Sequence, residues 1–528
     1  MTHDAVVVGA GHNGLVAANL LADAGWDVLV IEASDSPGGA VRSAEITAPG
    51  YLSDLCSAFY PLGLASPVIR DLDLPAHGLQ WRHAPAVLAH VLPDDRCVVL
   101  SRDLDRTAAS VETFAPGDGD AWRATFAQWQ RFGPALLDSL LGPFPPVRGG
   151  LRTARALGIA GLLRGTRYAL LPVRRLAAEL FAGAGAQLLL AGNAAHTDLG
   201  PESAGGSAFG WLLAMLGQDV GFPVPAGGAA RIIDALVARL RSRGGEIICG
   251  ERVDRVLVRG GRATGVRLAS GEVVEAARAV LADVPAPVLF GELVGAEHLP
   301  ARFVADLRAF QWDHSTVKVD WALSEKVPWS NPAAGEAGTV HIGADLNGLS
   351  QYSCDLVSGR VPEAPFLLVG QMTTADPDRS PPGTECVWAY THVPRGERWG
   401  EPRLRAHADR IEAVLERHAP GFGARVVGRA INGPDELHRE NPGLIDGAIN
   451  AGTCAPHQSL IFRPVPGLGR PDTPVDGLFL AGASAHPGGG VHGACGANAA
   501  KAALARHGRA GRLYAAGVRL AHRKIYPG

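Results

Sequence analysis

Cysteine is sparse in this chain, and no two cysteines lie close together. Cys56, Cys97, Cys249, Cys354, Cys386, Cys454 and Cys495 form no CxxC pair. Their scatter excludes a zinc ribbon and a redox-active CxxC dithiol, and it points to a reducing compartment. The histidines lack ligand spacing, so no metal is expected. No uninterrupted apolar run is long enough to cross a bilayer. The first strand signal begins near residue 4, so no signal peptide is expected and the expected location is cytoplasmic. Net charge is only −3 and no nucleic-acid motif is present, so nucleic acid is not an expected partner.

Two further absences are local. Between Val147 and Leu176 there is no acidic residue, while Arg148, Arg152, Arg155, Arg164, Arg167, Arg174 and Arg175 stand among leucines and alanines. Two readings stay open: a solvated helix face with its aliphatic residues turned to the core, or a basic stretch lying peripherally on an anionic membrane surface. Gly183-Ala184-Gly185-Ala186-Gln187 lacks a third glycine and follows no strand signal, so it is not read as a nucleotide turn.

The turn that does have its full context comes first. Ala5-Val6-Val7-Val8 reads as a buried strand, Gly9-Ala10-Gly11-His12-Asn13-Gly14 as a glycine turn, and Leu15 to Ala24 as a helix. Gly9 permits the tight turn, Gly11 lets backbone reach a pyrophosphate, and Gly14 lets the helix pack on the strand. The helix N-terminus offers free N–H groups and a positive dipole end to that anion. A second apolar run, Val28 to Ile31, ends at Glu32, placed to accept hydrogen bonds from a ribose diol and to repel the extra phosphate of NADP. Gly38-Gly39 follows, where backbone can approach a long ligand, and then Arg42, which can answer phosphate charge.

At 528 residues the chain is too long for one simple core. The expected fold is α/β: a Rossmann-type nucleotide domain, discontinuous in sequence (1–75, 220–290 and 425–510), carrying an inserted mixed α+β substrate domain (76–219 and 291–424). The part from 105 to 216 reads as helical, and 511–528 as a basic tail. Strand patterns from Glu246 to Ala282 rebuild the nucleotide domain. In the tail, Asp476 to Gly482 is an apolar strand, followed by a glycine-dense turn and the small-residue helix around Ala494 to Ala500. Again a strand, turn and helix present N–H groups to an anion.

These blocks, in this order, resemble the FAD-dependent phytoene desaturases and carotene ketolases, the desaturase-like branch of the amine-oxidase superfamily. The resemblance covers nearly the whole chain. The C-terminal motif, with the preceding Phe462-Arg463-Pro464-Val465-Pro466-Gly467, is its most specific part. It implies that Gly482, Gly490 and Val491 touch FAD and that Val253 lies beside the adenine. It carries over Gly38 and Gly39, but Ala40 stands where the superfamily's Gly-Gly-Arg motif has arginine, and Ala483 where many relatives have aspartate. Small residues in the last helix are expected to let it approach a flat ring. Amine oxidases of this superfamily often use a lysine near the flavin. His314 and Lys318 fall on or beside a strand expected to roof the flavin, and neither is assigned that role.

A single dinucleotide site with no second one for NAD suggests FAD, held throughout the cycle, with hydride passing to its N5. His486 and His492 flank the glycine cluster and are the acid–base candidates. His12 is expected to face backbone or solvent. The expected activity is desaturation or dehydrogenation of a lipophilic, isoprenoid or carotenoid-like substrate, with oxygen or quinone as electron acceptor. The alternatives are an amine or amino-acid oxidase using oxygen, and an FAD-containing partner protein without turnover.

Overall fold

The computed structural model describes residues 2–527, Arg148 by its backbone alone. Two seven-stranded sheets organise the chain. In the first, Leu478–Leu480, Val273–Ala282, Thr2–Val8, Val28–Ile31 and Glu246–Ile248 run parallel side by side. Val253–Arg259 and Arg262–Leu268 extend it as an antiparallel pair. The apolar runs read from the sequence are its central strands. All four residues of Val28–Ile31 are buried, as befits a parallel sheet covered on both faces. Helices His12–Asp23, Ala230–Ser242 and Ala494–His507 pack on one face.

The second sheet has the order Val426–Asn432, Ser315–Leu323, Glu385–Val393, Leu367–Gln371, Ala337–Ile342, Ala86–Val91, Cys97–Leu100. A helical layer including Asp118–Leu141 and Ala184–Ala194 covers one face, and Glu401–His418 covers the other. Val426–Asn432 is a departure from the sequence-based division, which gives 425–510 to the nucleotide domain. It pairs with Ser315–Leu323 instead. As a half-buried edge strand it carries little apolar patterning to announce its sheet.

The basic tail forms helix Gly511–Ile525. It docks on the chain through Arg519, which pairs with Asp476, and through Tyr526, which is buried.

The arginine-rich stretch forms helix Val147–Leu170, kinked at Gly158, where φ is +65°. Its aliphatic side chains are not turned to the core. Leu151, Ile159, Leu163 and Leu170 are exposed, Ile159 to 84%. Arg152 pairs with Asp138, Arg167 and Arg175 with Glu179, and Arg174 with Glu202. Arg155 and Arg164 are exposed and have no carboxylate partner among the described residues.

Among the small residues of the last motif, Gly496 serves a close contact between two helices. A Cβ on Gly496 would lie 1.9 Å from the backbone carbonyl oxygen of Asn13. Helices His12–Asp23 and Ala494–His507 therefore touch backbone to backbone at their first turns. Gly496→Ala forces them apart, and overpacking of this kind typically costs about 1–3 kcal/mol. We expect a lowered denaturant midpoint and reduced FAD retention after gel filtration. Unchanged values would show that the helices can separate freely.

Candidate functional site

The two first turns open into one cavity of about 860 Å³ between the sheets. Gly9, Gly11, Glu32 and Gly39 border it from the N-terminal motif. Gly482, Gly490 and Val491 border it from the C-terminal one, and Val253 from the middle block. Gly9 has φ +94°, the left-handed turn that glycine permits, and its N–H donates to the Ile31 carbonyl at 2.8 Å. Glu32 accepts the Ala10 N–H at 2.7 Å and the Ser34 N–H at 2.9 Å, which fixes its carboxylate at the cavity edge.

Three of the expected contacts stand behind the wall. Gly14 donates its N–H to the Asp283 carboxylate at 2.8 Å. Gly38 donates to the Ala10 carbonyl at 2.9 Å. Arg42 donates to the carbonyls of Gly39 and Glu440, which joins the Gly-Gly loop to the helix Pro434–Glu440. Its guanidinium binds carbonyls rather than facing the cavity.

The two histidine candidates also lie outside the lining of the cavity. His492 is buried, and its Nδ1 accepts the Ala494 N–H at 3.0 Å at the start of the last helix. His486 is buried with Phe144 edge-on to it. Neither borders the cavity. Burial pushes His492 down to about 3 and His486 to about 4, so both are neutral at physiological pH. His12 does border the cavity, with its Nε2 3.3 Å from the Gly490 carbonyl. Lys318 is buried against Asp320, with Nζ 2.5 Å from both carboxylate oxygens. It does not border the cavity, and neither does His314.

Several site residues gave no signal in the sequence. Asp283 packs into the glycine turn, where a Cβ on Gly11 would lie 2.6 Å from its Oδ2. Burial raises its carboxyl to about 7, with the Glu32 charge adding to the shift. Loop Ile449–Thr453 is held from both sides. Asp313 accepts the N–H groups of Ile449, Asn450 and Gly452, and the buried Arg463 donates to the carbonyls of Asn450, Ala451, Thr453 and Ala483. The far end of the cavity is walled by Phe59, Leu62, Leu213, Phe222, Trp388 and Tyr390. These residues come from separate elements, so only the folded chain brings them together.

A parallel nucleotide sheet, two helix N-termini converging on one cavity, and a second sheet across its far end define the architecture of a flavin-dependent oxidoreductase. The chain belongs to the flavin containing amine oxidoreductase family, which it matches over residues 14–504. It is 30% identical to pyridine nucleotide-disulfide oxidoreductase domain-containing protein 2 of Rattus norvegicus, over 94% of this chain and 92% of that one. It is 24% identical to a neurosporene-forming phytoene desaturase of Rhodobacter capsulatus, over 92% and 91%. Among solved structures, an oxidoreductase of Methanosarcina mazei superposes with TM-score 0.62 at 17% identity, covering 96% of this chain and all of that one. A mutant of putrescine oxidase superposes with TM-score 0.61 at 18% identity, over 96% and 99%.

The protein is an FAD-dependent oxidoreductase. The cavity fits the cofactor by its own chemistry: a glycine cradle, two helix N-termini for a pyrophosphate, a fixed carboxylate at Glu32, and two polar side-chain atoms with no protein partner, Asn13 Oδ1 and Asn450 Nδ2. Glu32, Val253, Asn13 and the glycines would hold it, and when bound it supplies a two-electron acceptor.

Asp283 makes the cradle itself sensitive to pH. Its carboxyl is raised in the folded protein, so the protonated form is favoured there. The stability this gives is full below about pH 4, falls as pH rises toward 7, and is gone above it. Asp283→Asn stays neutral throughout. Between pH 5 and pH 8, the melting temperature of FAD-free protein should therefore fall less in the variant than in the wild type. Equal falls would show that Asp283 is ionised across that range.

Proposed function

We propose that the chain oxidises a lipophilic, isoprenoid-like substrate by desaturation or dehydrogenation, removing a hydride from one carbon and a proton from its neighbour. The observation that carries this reading is the far end of the cavity. Its walls are aromatic and aliphatic, and no carboxylate is among the residues that line it there to hold an ammonium group. A substrate ammonium held by a counter-charge would need a carboxylate there. Relatives named as a phytoene desaturase and as part of a limonene dehydrogenase, each covering more than nine-tenths of this chain, support the same reading. Oxygen or quinone would serve as the final electron acceptor.

The residues along the cavity then exclude bulk water and orient a chain, and the proton released from the neighbouring carbon passes to solvent. Anaerobic holoprotein given carotenoid-loaded liposomes should lose its flavin absorbance. Full retention of that absorbance, alongside bleaching by an amine panel, would overturn the proposal.

Such a substrate resides in a membrane, and the helix Val147–Leu170 offers a surface for reaching one peripherally. It combines exposed aliphatic residues with Arg155 and Arg164, which have no carboxylate partner among the described residues. No helix among the described residues is long and apolar enough to cross a membrane. In sedimentation with anionic vesicles, the wild type should pellet, and Arg155→Glu with Arg164→Glu should shift most of it to the supernatant. Equal pelleting of both proteins would assign those arginines to solvent.

A further inference from the structure

We infer that the far end of the cavity is built to receive a hydroxyl group, and that the substrate is an isoprenoid-like chain carrying an alcohol at the end that enters first. This rests on the lipophilic reading above and adds a polar terminus to it. The observation is a file of three histidines, the buried His90 and His341 and the half-buried His196, running from the second sheet to the cavity wall.

His90 and His341 are register partners on the neighbouring strands Ala86–Val91 and Ala337–Ile342. His90 Nε2 lies 2.9 Å from the Ala344 carbonyl, so that nitrogen carries the proton and donates it. His90 Nδ1 is therefore a bare lone pair. His341 Nδ1 sits beside it: both nitrogens crowd Gly192, where a Cβ would lie 2.4 Å from His341 Nδ1 and 3.0 Å from His90 Nδ1. Neither has a hydrogen-bond partner. We place the proton of His341 on Nδ1, because two bare lone pairs beside Gly192 in a dry interior are disfavoured. His341 Nε2 then accepts from His196 Nε2–H, 2.9 Å away.

That orientation leaves His196 Nδ1 as an acceptor with no protein partner among the described residues. His196 borders the cavity beside Leu213 and Phe222. Burial holds its imidazole down at about 4 and that of His341 well below the ordinary value, so both rings are neutral. Thr339 lines the same cavity, and its buried hydroxyl is unpartnered. It stands two residues from His341, on the same face of the strand. An acceptor nitrogen and a free hydroxyl at one end of an otherwise apolar cavity match the donor and acceptor of an alcohol. Buried polar groups left unpaired in this way disfavour an all-hydrocarbon end. His196 and Thr339 would contact the ligand. His341 is a positioning residue that fixes the tautomer and ring angle of His196.

The test compares binding of geranylgeraniol with that of the hydrocarbon of the same skeleton, titrated into FAD-loaded protein and followed by the flavin's visible spectrum. The wild type should favour the alcohol by about fivefold to tenfold. His196→Phe and Thr339→Val should each remove most of that preference while leaving hydrocarbon affinity within about twofold. His341→Phe should weaken the preference, and His341→Gln, whose amide oxygen can accept from His196, should restore part of it. FAD content and melting temperature identify any variant that fails to fold, and Thr339→Val is the mildest of the set. Equal binding of alcohol and hydrocarbon by the wild type, or an undiminished preference in His196→Phe, would overturn the inference while the lipophilic reading stands. Binding of neither ligand by FAD-loaded protein would overturn both.

Discussion

The site depends on one contact between two backbones. Gly496 and the Asn13 carbonyl meet so closely that no side chain fits between them. The first and the last helix of the nucleotide domain are nearly 500 residues apart in sequence, and this contact brings their N-termini to the same cavity. Each terminus alone offers only a few free N–H groups to an anion. Side by side they bring Gly11, His12 and Asn13 to one part of the wall and Gly490 and Val491 to another. The His12–Gly490 hydrogen bond crosses the same junction. The alanine-rich composition of Ala494–His507 follows from this constraint, because a larger residue at the contact would separate the motifs.

Buried charge ties the two sheets together once that junction is formed. Arg379, fully buried, donates to Asp54 and Asp376. Those carboxylates also accept the Ala229 and Gly227 N–H groups at the start of helix Ala230–Ser242. One guanidinium thus links the N-terminal segment, the second sheet's connection and a nucleotide-domain helix. Its two carboxylates share their lone pairs with backbone N–H groups, which is what makes such a buried cluster tolerable. Removing one member would leave an uncompensated charge in the interior, so the cluster specifies how the domains sit across the cavity. Asp313 and Arg463 do the same locally for loop Ile449–Thr453, one through its N–H groups and the other through its carbonyls.

The features legible in the sequence are those whose physical demand is local. A glycine turn between an apolar run and a helix needs only neighbouring residues, and so the Gly9 to Gly14 turn, Glu32 and the strand ending at Gly482 can be read directly. Asp283 carries no such signal: it follows an ordinary apolar strand, and its meaning comes from packing against a turn some 270 residues earlier. The far wall is still less legible, since Phe59, Leu213, Trp388 and Tyr390 belong to different elements. Histidines beside a glycine-rich motif attract attention, yet His486 and His492 are buried as packing and capping groups. His196, which faces the cavity, follows a leucine–alanine stretch with nothing to distinguish it. Val426–Asn432 falls to the wrong sheet for a related reason, because an edge strand shows little periodicity.

Four of the ionisable groups that line the cavity share one property. Burial holds His12 and His196 at about 4 and raises Cys56 to about 11. Tyr390 is pushed above its ordinary value as well. None of these side chains is poised to exchange a proton near neutrality, where general acid–base work is most effective. Asp283, raised to about 7, differs from these four, and it packs at the glycine turn. A wall that keeps these four groups in one protonation state suits the loss of hydride from carbon, because that step asks the protein for orientation and dryness. Neutral imidazoles are useful there in another way. Fixed in tautomer by their neighbours, they give direction to hydrogen bonds without placing charge beside an apolar chain, and so they can select which end of a substrate enters while leaving the oxidation to the cofactor.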